Sequence, residues 1–542
     1  MNGIQKMISR TQPLALPSDF TWLSSVSSFA LDFDYARYPY RIDLAQSIRN
    51  NAGPDASSPL GIQDIVSVGT SGTLASKSVV VFNNESTVQT ASSSGAGTKA
   101  DPYVIEDNEY DGAGTATQCI LFSDTSATYY VKLKNVKAFN ATSAVVESRL
   151  PTGLTLENCE FYSVNGARAI ELENGDNVID RCLISGANNA AVVLQNGGTG
   201  LTIRNLQFTA AKGNYSTDAR LIQIAESNLV FDARYVDCDV SGSTNVPGIL
   251  FFLFNVADAP MMQDFTCKGI KSAFRDDVFS NMGEKTNLIL RNFKITDPVN
   301  EGIFIRHVDG GVIEKGEIDH TTNGAGKRLI WLQSNPSDSS ERVKNVDIQN
   351  IKGTKKTGSG SANECIQSNL GTNIRIRNCW VTECTEDAFE HVAGVSGNTI
   401  EYCVADNCTG QIADFFLQTD ETTWGLVDDT SSLIGSESYA HHIYGDCQDY
   451  GLIFTGLKGG TFHDIYADTT GAALGVDDVV RIENRTVDSV DYEAIDIKGS
   501  GPLTLSANRG GDGVSINTTG QGNKVRFFDN DSGTGTLTTV TG

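Results

Sequence analysis

Two acids at matching positions of neighbouring repeats are the first chemistry the sequence offers. Glu364 and Asp387 stand just before the segments CIQSN (365–369) and AFEHV (388–392), and Glu390 follows close by. A carboxyl pair is the machinery of glycoside hydrolysis, at about 5 Å separation for a retaining enzyme and about 6.5 to 9.5 Å for an inverting one. Strands stacked in one sheet lie about 4.8 Å apart, so acids on successive strands fall within that range. Asp277 beside His307 is the other candidate pair. Trp331, with Gln333 and Asn369 in the adjoining column, would supply the apolar floor and the amides that hold a sugar ring. The same tryptophan would also fill a contact between neighbouring chains, a reading that Ile305 in the same column favours slightly by making that face apolar. Against any of these stands a plainer reading, in which the 66 Asp and Glu residues decorate turns and surface and stack by chance.

What would position these residues is a repeat. Between Gly153 and Ala211, the segments LTLENCEF, NVIDRCLI and LTIRNLQF place Cys159, Cys182 and Leu206 in one slot, at steps of 23 and 24 residues. Between them sit ARAIELEN and NAAVVLQN, again apolar at alternate positions. Short period-2 strands separated by Gly/Asn turns, with no helical pattern between them, describe a chain of β-strands. A unit this short cannot bury its own apolar face, so copies must stack, and the chain coils as a parallel β-solenoid. Further slots at Phe293, Gly316, Ile351, Cys379 and Cys403 come at steps of 23, 35, 28 and 24, so some coils carry inserted loops. The longest excursion is 419–447.

The second strand of each coil aligns as AIELE (169–173), AVVLQ (191–195), LIQIA (221–225), AFRDD (273–277), IFIRH (303–307), LIWLQ (329–333), CIQSN, AFEHV and AIDIK (494–498). Side chains alternate along a strand. This alignment points Arg275, Ile305, Trp331, Gln367 and Glu390 outward, beside Asp277, His307, Gln333 and Asn369. It turns Asp276, Arg306, Ser368 and His391 inward, which is costly unless they are paired. A slip of one residue would return them to solvent.

Residues 1–65 differ from the rest: they are rich in aromatics (Phe20, Trp22, Phe29, Phe33, Tyr35, Tyr38, Tyr40), and RIDLAQSIRNN reads as one short amphipathic helix. This segment is expected either to attach the chain to a sister chain or larger assembly, or to cap the first coil. Residues 66–94 read as a linker with one strand, in KSVVVFNN, and 95–542 as the solenoid. A net charge of −25 argues against nucleic acid and anionic membranes as partners. No apolar run is long enough to span a bilayer, so no membrane insertion is expected. The first twenty residues lack the apolar core of a secretory signal, and the eleven cysteines are odd in number and dispersed, so folding in a cytosol is expected. Cys379/Cys384 and Cys403/Cys408 have the form of two C-x4-C zinc pairs, but the 24-residue step from Cys379 to Cys403 is one coil. Free, buried thiols are expected there, and no metal or cofactor.

GAGTKADPYVIED, from Gly95, resembles the entry sequence of right-handed parallel β-helix proteins, the pectate-lyase-like superfamily, and the I-x-N-C slots resemble its repeat. The resemblance covers roughly 95 to 530 and implies fold more than activity. Polygalacturonase-type members need an Asp-rich cluster followed by Gly-His-Gly and Arg-x-Lys. Here Asp276-Asp277, Asp428-Asp429 and Asp477-Asp478 occur without any Gly-His-Gly, and Arg342 to Lys344 is the only Arg-x-Lys. The whole arrangement looks like a phage tailspike: a homotrimer of β-helices, made in a host cytosol, joined to tail or capsid through residues 1–65, and presenting a surface that binds host polysaccharide. Two alternatives stand beside it, a non-enzymatic trimeric decoration or fibre protein that stabilises a virion, and a secreted polysaccharide lyase or hydrolase.

Overall fold

The computed structural model describes residues 39–58, 60–61, 68–162, 168–187, 189–225, 229–253, 259–275, 285–320, 328–334, 343–355, 364–392, 397–416 and 438–447. Beyond these it describes the backbone of strands at 452–455, 460–468, 480–483, 495–498, 515–517, 525–528 and 539–541. By its contacts the chain divides into Met1–Ile42 and Asp43–Gly542. The second unit is the all-β parallel β-helix expected from the repeats.

Each coil gives one strand to a first sheet, which bends at a corner, and one to a second sheet; every strand-to-strand pairing is parallel. In the first sheet the coil at Leu154–Glu157 and Glu160–Tyr162 pairs with Gly175–Asp180 and Leu183–Ser185, and several later coils run as single bent strands such as Val308–His320. The bend is one residue in the left-handed region. Asp107, Asn135, Asn158, Arg181, Asn205, Tyr235, Asp264, Asn292, Lys315, Asn350, Asn378, Tyr402 and His442 form this corner column, with φ between 49° and 58°. Eight of the thirteen are Asn or Asp, the side chains that tolerate this conformation. Their amides also bond down the column, as from Asn135 Nδ2 to Asp107 Oδ1 at 2.6 Å.

The cysteine after the corner has a local reason too. Cys159, Cys182, Cys379 and Cys403 each donate Sγ–H to the carbonyl two residues back, at 3.2 to 3.3 Å. This is the physical content of the I-x-N-C pattern: a left-handed Asn, then a small thiol that reaches a carbonyl beside the bend. Burial pushes the Cys182, Cys238 and Cys403 thiols up, so they stay protonated apolar filler. Inward slots also trade large for small. Phe265 and Phe293 stack at 5.3 Å, and the next coil offers Gly316, where a Cβ would lie 2.1 Å from Phe293 Cζ. One expected free thiol is not free, because Cys384 is disulfide-bonded to Cys365. Cys379, Cys384, Cys403 and Cys408 therefore make no four-thiolate set.

The second sheet runs from Val80–Phe82 through Gln118–Phe122, Ala144–Ser148, Arg168–Leu172, Ala190–Leu194, Arg220–Ile224, Ile249–Leu253, Ser272–Arg275, Ile303–Ile305, Ile330–Gln333, Ile366–Asn369 and Phe389–Val392 to Ala413–Phe416. Stacking thus already includes Ala75–Lys77 and Val80–Phe82, paired with Asn108–Asp111 and Gln118–Phe122. A short helix, Glu85–Ala91, follows; Asn84 and Thr87 form its capping box, and its Val88 is fully buried in the core.

The Pro39–Asn51 helix lies where RIDLAQSIRNN suggested one. From Leu44 on, the segment docks on the β-helix of its own chain. Ala45 and Ile48 are buried with Val404 and Tyr444, and Arg49 grips Asp406 through Nε at 2.9 Å and Nη2 at 2.7 Å. The chain then runs back along the corner column. Gly53 N–H donates to the Asn350 carbonyl, Asp55 N–H to Asn292 Oδ1, Gly61 N–H to the Asp264 carbonyl, Gly69 N–H to the Arg181 carbonyl, Ser71 N–H to Asn135 Oδ1 and Ala75 N–H to the Asp107 carbonyl, all at 2.7 to 3.0 Å. The corners thus offer a row of acceptors, and the strap bonds four of their carbonyls, at Asn350, Asp264, Arg181 and Asp107, and two of their Asn side chains.

Candidate functional site

The second sheet is buried on both faces through its middle coils: every residue of Ile366–Asn369 and Phe389–Val392 is buried. Its interior face is the solenoid core. Its other face carries a column in register: Glu147, Glu171, Val193, Gln223, Phe252, Arg275, Phe304, Trp331, Gln367, Glu390. Burying polar groups here requires partners, and arginines on aromatic faces supply many of them. Arg220 lies 4.0 Å from the Phe252 ring centroid, Arg275 and Arg306 lie 5.0 and 4.9 Å from Phe304, and Arg328 lies 4.4 Å from Trp331. Phe304 and Trp331 tilt against each other at 4.7 Å.

At Trp331 this ladder meets the acids. Arg328 pairs with Glu364 at 3.0 Å, both side chains being nearly buried. Gln367 Nε2 donates to Glu390 Oε2 and, at 3.4 Å, to Glu364 Oε1, so one amide bridges the two carboxylates. Glu364 and Asp387 do occupy equivalent places on adjacent coils, where Cys365 N–H bonds the Asp387 carbonyl at 2.8 Å. The Asp387 carboxylate, however, accepts the Gln411 N–H of the following coil at 3.0 Å, tying those coils together. The arrangement therefore couples Glu364 with Glu390 through Gln367 and gives Asp387 a bond of its own.

Two basic groups lie behind this cluster. Lys355, at the end of Lys344–Lys355, is buried, with Nζ 3.4 Å from the Glu364 carbonyl oxygen. Burial lowers its amine to about 7; the Glu364 carboxylate opposes that shift and the Arg328 guanidinium adds to it. His391 is inward and fully enclosed, so burial lowers it to about 4, with Nε2 facing the Thr399 carbonyl at 3.4 Å. The Cys365–Cys384 disulfide anchors the strand that carries Gln367, one residue from Glu364.

Trp331, Gln367 and Glu390 stand in the column where the alternation put them, and Gln333 pairs with Asn369 in the column beside it, both buried. The coil at 303–307 is shifted by one. Phe304, not Ile305, pairs with Trp331, and Ile305 pairs with Leu332 in the core. Arg306 is consequently not an inward charge: its Nη2 donates to Gln333 Oε1 at 2.9 Å. The frame slipped because Ile303, Phe304 and Ile305 are all apolar and show no alternation. Matching IFIR to IWLQ, an aromatic after the first aliphatic and a polar residue at the end, would have found it. His307 is buried beyond the strand end, and Asp276 and Asp277 lie outside the described residues, as do Asp428-Asp429 and Asp477-Asp478. Ser368 and His391 do face inward, between Leu332 and Phe415 in register.

Upstream, the same column holds an acid pair the sequence reading did not single out. Glu147 accepts from Gln118 at 2.7 Å and from Arg149 at 2.6 Å, and Glu171, paired with it in register, accepts from Gln195 at 2.6 Å and from Arg168. Burial raises the Glu171 carboxyl, Arg168 opposes this, and Glu147 adds to it. Both carboxylates have their partners within the protein, which marks them as structural.

A family model described as a right handed beta helix region matches residues 118–243. That match gives the coil its hand: the solenoid is a right-handed parallel β-helix. No curated protein and no solved structure matches the chain.

Proposed function

We propose that this chain is a glycan-binding spike of the tailspike type, which takes a cell-surface polysaccharide beside the part-exposed Trp331 of its second sheet. The observation behind this is the Phe304–Trp331–Gln367–Glu390 column: aromatic, amide and carboxylate side chains in register on one rigid sheet face, Trp331 part-exposed and the other three buried beside it, flanked by Arg328 and Glu364. Aromatic surface beside hydrogen-bonding amides and acids suits a sugar, which has apolar ring faces and hydroxyl edges. A rigid sheet positions such groups better than a loop does. The Cys365–Cys384 disulfide agrees with a protein that works outside the reducing cytosol. In this reading three copies stand side by side on a virion, assembled in the host cytoplasm. Attachment to tail or capsid falls to the part of residues 1–65 ahead of Leu44, because from Leu44 on the described segment is engaged with its own coils.

Cleavage is the secondary part of the proposal, with Glu364 and Glu390 as the carboxyl pair. Binding without cleavage has an observation in its favour: Glu364 is held by Arg328 and Gln367, and Asp387 by Gln411. The test is incubation with capsule or lipopolysaccharide from candidate hosts, reading retention on the polysaccharide and new reducing ends or unsaturated sugars. Retention without new ends supports the decoration or adhesin form. New ends that vanish in Glu364→Gln and Glu390→Gln support hydrolysis. A protein neither retained nor active on any of them argues against the glycan reading.

A further inference from the structure

Where the strap helix sits on the coils, two histidines meet nitrogen to nitrogen. His441 and His442 lie at the bend of Ser438–Cys447, with Nδ1 facing Nδ1 at 2.9 Å. The other nitrogen of His441, Nε2, is 3.0 Å from Glu401 Oε2 on the preceding coil. A carboxylate only accepts, so His441 Nε2 carries a proton, and in the neutral pair the proton between the rings belongs to His442. The His441 bond holds the Glu401 carboxyl below its ordinary range, against burial and with help from Arg375. The pair is joined to the strap through a ring. His442 stacks on Tyr402 with centroids 4.6 Å apart, and Tyr402 packs, with Leu44 and Trp380, against the buried cluster of Ala45, Ile48, Val404 and Tyr444.

We propose that the His441–His442 contact is an acid latch for the strap: it stays closed with one proton between the rings and opens when both rings are charged, freeing residues 44–51 from their seat. The proposal stands apart from the glycan reading. A first added proton is tolerated on the far nitrogen of His442, because a single proton still lies between the rings. A second sets N–H against N–H and brings two like charges together. Glu401 holds His441, so the ring that moves is His442, and its stack on Tyr402 goes with it. This count of protons holds whatever charges surround the pair. Arg375 pairs with Glu401, Arg377 with Asp347, and Arg49 of the strap with Asp406. The following coil sets His463 in register with His441 and Asp464 opposite His442. The open seat takes a proton that the closed one refuses, so acid favours opening from about pH 6.5 downward, where an unhindered imidazole titrates. One proton limits the steepness to about tenfold per pH unit.

The experiment is amide exchange of the full chain, read by mass spectrometry from about pH 8 to about pH 4 and corrected for the intrinsic pH dependence of exchange. In the parent protein, opening at Ala52 and Gly53, whose N–H groups bond the Ile48 and Asn350 carbonyls, should rise about tenfold between about pH 6.5 and about pH 5, while Val308–His320 keeps its protection. His441→Gln keeps a donor for Glu401 and an acceptor for His442 but takes no proton, so its opening should stay flat over that range. His442→Phe keeps a ring on Tyr402 and should be flat too. Thermal melts show whether the variants stay folded, and the parent profile stands without them, because carboxyls would place the rise below about pH 5. Opening of the parent strap that is unchanged above about pH 5, or a rise that both variants retain, overturns the latch. So does a rise shared equally by the strap and Val308–His320, which reports acid unfolding of the coils.

Discussion

Replacing Arg49 by alanine should release the strap from the far end of the β-helix without unfolding the coils beneath it. Arg49 makes two charge-assisted bonds to Asp406, and the two side chains are 18% and 8% exposed. An exposed pair is worth at most about 1 kcal/mol, and breaking a fully buried one costs about 3 to 5 kcal/mol. Asp406 keeps the Trp380 indole N–H at 2.8 Å and is not orphaned, so a cost of about 2 kcal/mol is expected. At 1.4 kcal/mol per factor of ten, strap opening becomes roughly thirtyfold more frequent. Amide exchange read by mass spectrometry should quicken by that factor at Gly53 and Gly61, whose N–H groups bond the Asn350 and Asp264 carbonyls, while strands such as Val308–His320 keep their protection. Acid works in the same direction. The Ser57 hydroxyl and the Lys315 ammonium hold the Asp55 carboxyl below its usual range, so its contribution is present at neutral pH and is lost as pH falls through the lowered value. Equal acceleration in strap and coils, or none in either, would refute the idea that the strap is a separately opening element.

Other expectations concern the buried charges and the disulfide. Lys355, lowered to about 7 in the fold, binds its proton up to about pH 10.4 when unfolded, so the unfolded state holds more protons between those values and stability rises with pH across them. Lys355→Met should flatten that slope and raise the melting temperature at pH 7. Glu171 has the opposite sense: its raised carboxyl contributes most below the unfolded value and loses that contribution as pH rises through the folded one, so Glu171→Gln should flatten the fall of stability above about pH 4.3. Cys365→Ser with Cys384→Ser removes a link across a sequence separation of 19 residues and should cost about 3 kcal/mol in denaturant unfolding, an effect that reductant reproduces on the parent protein.

The coil was legible because its signal is local and repeated. Alternating apolar side chains and Asn-Cys corners recur wherever a strand must bury one edge and bend, and Gly153–Ala211 contains enough copies to compare. Legibility stopped where alternation stops, at Ile303–Ile305, and there the frame was lost by one residue. The Glu364–Gln367–Glu390 cluster was half legible: its acids were found by matching coils, but Arg328 and Lys355 lie across inserted loops whose length hides what they face. Of the strap only the helix was legible. Its backbone N–H groups reach corner carbonyls or Asn side chains between about thirty and three hundred residues away, a recognition that leaves no mark in residue type.

The corner column also separates two reasons for a residue's presence. Tyr235 and Lys315 hold the same left-handed bend as Asn350, at φ 58° and 54°, with side chains that disfavour it. Lys315 has a compensating contact, since its Nζ bonds Asp55 of the strap at 2.9 Å. Tyr235→Asn should therefore relieve backbone strain and raise stability by about 1 kcal/mol. Lys315→Asn should gain the same at the bend while losing the ion pair, which with one partner 40% and the other 32% exposed is worth less than about 1 kcal/mol. Global melting should then rise in both variants, while exchange near Asp55 quickens only in Lys315→Asn. If Tyr235→Asn destabilises the β-helix instead, the corner is not selecting for left-handed tolerance and the Asn-rich column needs another cause.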